Sequence, residues 1–403
     1  MSTVFLAACT VHPRGPVGRL SAAPSVTQTP TGPIVLPPPY ATPSARNLPV
    51  VGPRPEGAVL RTPPGFRVEP WADGFDEPRT LALAPNGDVF VAEHRADRIT
   101  VLWDTDGDGR VEGRRVFATG LHQPYGMAFH PDGWLYVANT DGVVRYRYTP
   151  GQRAAAGAPE RVVELPAGGY NAHWTRSLVF APDGRTMFVG VGSGTNVSVE
   201  ADPRRGAIGR YDLDGRNGRI FAGGLRNPAG LAVHPTTGAL FAVVNERDEL
   251  GDDLVPDYLT EVREGAFYGW PYAYFGAHED PRRRGERPDL VARTVVPDLA
   301  LGAHVAALGI VFYTGARFPA EYRGDAFVSM HGSWNRARRV GYKVVRVRFR
   351  EGHATGQVED FVTGWLTANE LIWGRPVGLL QTADGALLIV DDAADRIWRV
   401  TAD

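Results

Sequence analysis

The stretch Ala128-Phe129-His130-Pro131-Asp132-Gly133, followed by Leu135-Tyr136-Val137-Ala138, decides the fold. Two apolar runs flank an Asp-Gly pair, which supplies the positive backbone dihedrals of a tight hairpin. The same grammar recurs along the chain. Ala82-Leu83-Ala84-Pro85-Asn86-Gly87 precedes Val89-Phe90-Val91-Ala92, and two further copies read Val179-Phe180-Ala181-Pro182-Asp183-Gly184 and Val233-His234-Pro235-Thr236-Thr237-Gly238. A looser copy stands at Val311-Phe312-Tyr313-Thr314-Gly315, and the last at Gln381-Thr382-Ala383-Asp384-Gly385 before Leu387-Leu388-Ile389-Val390. Gly87, Gly133, Gly184 and Gly238 lie 46, 51 and 54 residues apart, the length of one four-stranded propeller blade. Six copies predict an all-β chain over 56–403, a six-bladed β-propeller of four-stranded antiparallel blades. Each copy is expected as a hairpin at the middle of its blade, with long insertions before the last two.

Composition suits such a ring. The 403 residues are 43% hydrophobic and 22% charged, with a formal net charge of -2, which leaves ample core and argues against a nucleic-acid binder or an acidic tail. No apolar run reaches the length of a membrane-spanning helix. The single cysteine, Cys9, excludes a disulfide framework and a cysteine-ligated metal. Leu6-Ala7-Ala8-Cys9 resembles a bacterial lipobox, which implies export, lipid attachment at Cys9 and a periplasmic or membrane-anchored location. Only eight residues precede the cysteine, fewer than an export signal requires, so the true start is expected upstream. From Thr10 to about Pro55 the chain is rich in Pro, Ser, Thr and Ala and lacks alternation, so residues 1–55 are expected to be a signal remnant followed by a disordered or polyproline tether.

Fold alone does not choose a chemistry, so the segments that lead into each repeat must be read. Asn171-Ala172-His173-Trp174-Thr175-Arg176-Ser177 precedes the third copy and Gly224-Leu225-Arg226-Asn227-Pro228-Ala229-Gly230 the fourth. Asn245-Glu246-Arg247-Asp248-Glu249-Leu250-Gly251-Asp252-Asp253 and Tyr268-Gly269-Trp270-Pro271 come next. In this order the segments resemble the soluble glucose/sorbosone dehydrogenase family, which uses pyrroloquinoline quinone (PQQ) and calcium, and the resemblance covers roughly residues 60 to 403.

The resemblance implies oxidation of a sugar hydroxyl or aldehyde by hydride transfer to the quinone, on an aldose, a pyranose or sorbosone. His173 matches the family's general base, and a neutral imidazole can take a proton near physiological pH. Arg226 matches the arginine facing the quinone oxygens, where a fixed guanidinium suits developing negative charge, and Asn227 an adjacent cofactor contact. Arg375 matches the first arginine of an Arg-x-Arg-Asp motif; Val377 stands where the second belongs. Arg336 and Lys343 are further candidates to meet the three PQQ carboxylates. Backbone carbonyls of Asp248 and Glu249 fall at the family's calcium position, and carbonyl oxygens suit a hard cation. Ser193 replaces an aspartate that orients the histidine, so another group must fix the imidazole. His122, Gln123 and Ala172 are expected near the sugar by position.

Asp104-Thr105-Asp106-Gly107-Asp108-Gly109 alternates carboxylates as an EF-hand loop does, although Arg115 stands at the twelfth position instead of Glu. A second calcium on Asp104, Asp106 and Asp108 competes with a plain Asp-Gly turn. Two other classes remain open: a calcium-dependent lactonase, which needs carboxylates converging on the axis, and a non-catalytic propeller that binds a glycan or protein. The expected partners are a small sugar and an external electron acceptor. No Cys-x-x-Cys-His haem motif occurs.

Overall fold

The computed structural model describes residues 23–168 and 173–403, so Cys9 and Ala172 lie outside the described residues. Six four-stranded antiparallel sheets form the blades. Blades 1 to 3 span 78–118, 126–164 and 176–223; blades 4 and 5 span 227–303 and 307–362. Blade 6 joins Pro376–Gln381, Leu387–Asp391 and Arg396–Ala402 to a strand from the other end of the chain, Phe66–Asp73. Arg396 pairs with Asp73 and Ala402 with Phe66. The ring is thus closed inside blade 6 by hydrogen bonds between strands from the two ends of the chain, which leaves only short, protected sheet edges.

The second strand of each blade explains why the repeats carry such apolar runs. Val89–Glu93, Trp134–Asn139, Thr186–Val191, Ala326–Met330 and Leu387–Asp391 are buried at every position. A strand sandwiched between neighbouring blades has no solvent face, so alternation gives way to a continuous Val, Ile, Phe and Leu run. The first strands touch one another around the axis. The Asp-Gly turns therefore join the innermost strand to the second one, and not the two middle strands as expected from the sequence. Gly133 and Gly184 take the positive φ of 85 and 61 that the turns require. The fifth copy differs, because its two strands are separated by residues 313–325, which include a short 3-10 turn, Ala320–Tyr322. Thr314 and Gly315 donate their N–H groups to Gln381 Oε1 on blade 6.

The described part of the expected tether, residues 23–55, is built onto the propeller. Strands β1 (Ser25–Thr29) and β2 (Gly32–Leu36) form a hairpin. Thr31 Oγ1 donates to Asp298 O at 2.7 Å, and Thr27 Oγ1 lies 2.6 Å from His278 Nε2. Leu36 is 2% exposed, inside the core shared by blades 3 and 4. Beyond the hairpin the chain runs as a strap over blades 4 to 6. Tyr40 N donates to Leu250 O, Asn47 N to Trp334 O and Gly52 N to Ile372 O. Proline-rich sequence forbids a regular strand but not isolated backbone hydrogen bonds, which leave no periodicity to read. Leu36→Ala is expected to cost roughly 2–5 kcal/mol in urea unfolding, the usual range for emptying a buried leucine site. A free tether would give no change. Among the described residues no helix is long and apolar enough to cross a membrane.

Candidate active site

Because the strands alternate in direction, the start of every first strand and the end of every second strand lie on one face of the ring. Loops at those positions enclose a cavity of about 280 Å³. Arg79 enters it from blade 1, His173 to Thr175 from blade 3, Arg226 to Asp248 from blade 4, His331 and Trp334 from blade 5, and Arg375 from blade 6. His173, Arg226, Asn227, Asp248 and Arg375 are thereby brought together as the sequence implied.

The His173 ring is fixed by Ser193. Nδ1 lies 3.0 Å from the Ser193 carbonyl oxygen and 3.0 Å from its Oγ. Ser193 Oγ gives its own proton to Thr195 O at 2.6 Å, so both groups accept, and Nδ1 carries the hydrogen. Nε2 is then the basic nitrogen. A serine with its backbone carbonyl thus does the orienting assigned to the missing aspartate. Burial and then the Arg226 guanidinium push the His173 pKa down to about 3, so the imidazole is neutral.

Arg226 is 3% exposed and heavily engaged. It donates to Asn196 O, Asn196 Oδ1, Glu246 O and, at 2.9 Å, Asp248 Oδ2. Four of its five N–H groups are used, so it fastens blade 3 to blade 4 while lining the cavity. Asn227 Nδ2 donates to Asn245 Oδ1, while Asn227 Oδ1 and Glu246 Oε1 are buried acceptors without a hydrogen bond among the described residues. Such orphans mark where a ligand's donors belong.

Three groups of the site were not read from the sequence. Arg79 pairs with Asp392 and lies over the Trp174 ring at 5.3 Å, a cation–π contact. His331 Nε2 donates to Asp392 at 2.9 Å, and its Nδ1 accepts from Arg375 Nη2 at 2.8 Å. Burial and then Arg375 push the His331 pKa down to about 4. One carboxylate, backed by a neutral histidine, therefore orients two guanidiniums, and Arg79 supplies a cation where Val377 cannot. Applying the blade register to Glu77-Pro78-Arg79, at the start of the first blade, is the signal that would have found it. His304 is the third. Burial opposes its charge, but Asp248 and the Gly251 carbonyl prevail and raise its pKa.

Other expectations fail on position. Lys343 pairs with Asp360 at 2.5 Å between the two outer strands of blade 5, since its strand is the third from the axis. Arg336 holds Asp252 O at 2.6 Å and Asp253 at 2.8 Å, tying two loops together. His122 faces Asp141 on the rim, and Gln123 bonds Asp97 and Thr140; neither reaches the cavity. The Asp248 carbonyl accepts from Asn196 Nδ2 and from Arg282 Nη1 at 3.0 Å. An oxygen facing a guanidinium is not placed for a cation, and Glu249 lines a neighbouring cleft instead. The residues present at Asp248-Glu249 therefore do not fit calcium. Asp104, Asp106 and Asp108 bring carboxylate oxygens within 4.8 Å of one another, but their loop joins the outer strands of blade 1 on the opposite face of the ring. Each of them already accepts backbone N–H groups.

A family model described as TrAA12-like matches residues 60–262 and 287–403. A curated relative, an uncharacterized protein of Borreliella burgdorferi, is 27% identical over 85% of this chain and 91% of its own. The pyrroloquinoline quinone-dependent pyranose dehydrogenase of Coprinopsis cinerea is 26% identical over 81% of this chain and 52% of its own, so the chain spans about half the length of that protein. Among solved structures, the holo PQQ domain of pyranose dehydrogenase from Coprinopsis cinerea superposes with a TM-score of 0.74 at 21% identity, covering 87% of this chain and 98% of that one. That likeness shows the same fold.

Proposed function

Because the chain belongs to the TrAA12-like family, we propose that it is a PQQ-dependent oxidoreductase that oxidises a sugar hydroxyl. The observation that carries this reading is the convergence of Arg79, Arg226 and Arg375 with a neutral His173 in one cavity between Trp174 and Trp334. Three guanidiniums fit a flat tricarboxylate, each able to form charge-assisted or bidentate bonds to a carboxylate, and the orphaned Asn227 and Glu246 oxygens fit a ligand N–H. When bound, PQQ supplies a two-electron acceptor for hydride. Arg375 and Arg79, aimed by His331 and Asp392, hold its carboxylates. Arg226, with one N–H still unspent, faces the charge that develops as the substrate carbon is oxidised. His173 takes the hydroxyl proton at Nε2 while Ser193 holds Nδ1–H, and an anomeric hydroxyl gives the lactone, which water then opens to the acid.

Adding PQQ to purified protein and screening aldoses with an artificial dye tests the proposal; no turnover on any of them would reject it. The lactonase alternative is less favoured: Glu246, Asp248, Asp257 and His304 line the cavity, but Arg226 and His304 occupy the Asp248 oxygens and backbone N–H groups those of Asp257. Export and lipid attachment at Cys9 remain part of the proposal on the strength of Leu6-Ala7-Ala8-Cys9, and the electron acceptor is external.

The depressed pKa of His173 gives a pH prediction. In cofactor-free protein its ring signals are expected not to titrate between about pH 5 and 8, where an ordinary imidazole does. Binding an anion in the cavity favours the imidazolium and raises the pKa. Ring titration near pH 6.5 in the free protein, followed by NMR, would contradict the burial argument.

A further inference from the structure

We propose that the N-terminal strap and the loop carrying Trp334 form an outer subsite for the rest of a saccharide whose end unit is oxidised in the central cavity. The inference rests on the sugar-oxidising reading and deepens it. A second cleft, of about 490 Å³, adjoins the cavity; its lining includes Ser44, Arg46 and Leu48 from the strap, with Glu249 and Trp334 from blades 4 and 5. Trp334 lines both spaces. Trp334 therefore stands between the reacting centre and the outside. The cavity of about 280 Å³ has room for little beyond a planar cofactor and one sugar ring, and the cleft beside Trp334 gives further units a place to extend.

The strap is fastened as a wall. Asn335 Nδ2 donates to Ala45 O at 2.8 Å while its Oδ1 accepts from Glu249 N at 2.8 Å, so one side chain sets both sides of the cleft. Asn47 brackets the Trp334 turn, donating its N–H to Trp334 O at 2.8 Å and its Nδ2 to Ala337 O at 3.0 Å. Arg339 Nη2 holds Leu48 O at 3.1 Å. On the other side Ser44 Oγ accepts from Gly251 N and Thr42 Oγ1 from Asp252 N. Ordering an irregular segment costs conformational entropy at every residue, and these bonds offset it to hold a surface in place.

The chemistry of that surface suits a saccharide. Sugars present C–H faces to aromatic rings and hydroxyls to planar polar groups. Trp334 and Leu48 offer the first. Arg46 and the Glu249 carboxylate offer the second; Arg46 makes no hydrogen bond or ion pair among the described residues, and the Glu249 side chain is 65% exposed. Residues 44–48 lie before the part that the family model matches.

The test titrates cofactor-free protein with glucose, maltose, maltotriose and cellobiose by calorimetry, and measures kcat/KM for the same sugars after PQQ loading. Affinity for at least one two- or three-unit sugar is expected to exceed that for glucose by about tenfold, a contribution of the size one aromatic platform makes. Ala45→Trp, which fills the cleft, is expected to remove that increment. Arg46→Ala, which breaks no contact of the fold, is expected to reduce it severalfold. Equal binding of all lengths, no binding of any, or an increment that survives Ala45→Trp overturns the subsite. If loaded protein still oxidises glucose in those cases, the sugar-oxidising reading stands without it; if loaded protein oxidises no sugar, that reading itself fails.

Discussion

Replacing His173 by alanine is expected to lower turnover by roughly a hundredfold to ten-thousandfold, the span covered by loss of a positioned general base, while PQQ still binds. The separation follows from charge. Cofactor affinity rests on guanidiniums meeting carboxylates, and a neutral imidazole with its pKa near 3 contributes little to holding a trianion. Its part in the proposed reaction is to receive one proton at Nε2. His173→Gln keeps a hydrogen-bonding side chain without a usable base and should be nearly as slow. Single-turnover reduction of the quinone by sugar, with cofactor saturation checked by absorbance, measures the step directly. Near-normal turnover in the alanine variant would send the proton elsewhere; lost PQQ binding would make His173 a wall of the pocket.

Arg375→Ala and Arg79→Ala are each expected to weaken PQQ binding by about tenfold to a hundredfold, since a charge-assisted bond contributes about 1.5–3 kcal/mol. Both share Asp392, so the losses should not add. The double variant leaves Asp392 facing His331 alone, and a double-mutant cycle on PQQ affinity would show the coupling. Arg226→Ala should behave differently. It leaves the buried Asp248 carboxylate with His304 alone and breaks two bonds to Asn196 of blade 3 and two within blade 4, so about 3–5 kcal/mol of fold stability is at stake besides cofactor binding. Fluorescence titration with PQQ beside urea unfolding distinguishes the clamp from the staple. Equal loss of stability in Arg375→Ala would merge the two roles.

The blades were legible because Asp-Gly turns and fully buried second strands are local, and a local signal survives in one dimension. His173, Arg226 and Arg375 were legible because each stands at the entrance to a blade in a motif that resembles a known family's. Arg79 occupies the same kind of place in blade 1, yet no motif flags it; only contact with Trp174 and Asp392 reveals its use. Lys343 misled for a related reason: its position along the sequence is near the right loops, but a third strand lies away from the axis. Arg336 carries charge toward Asp252 and Asp253, and sequence alone does not say which acids an arginine will meet. The strap was hidden altogether. Its bonds run through backbone groups, which every residue possesses, and through scattered Ser, Thr and Asn side chains that follow no period.

The pairing of Phe66–Asp73 with Arg396–Ala402 also sets an order of events during synthesis. A chain emerging N-terminus first presents Phe66–Asp73 some three hundred residues before its partner exists. Blades 1 to 5 can assemble in sequence, whereas that strand must wait as an unpaired edge, the kind of segment that templates aggregation. Its own residues blunt the hazard: Phe66-Arg67-Val68-Glu69-Pro70 interleaves opposite charges with apolar positions and ends in a proline. Contacts this distant along the chain make closure slow, and truncating even the last seven residues would leave the ring permanently ajar.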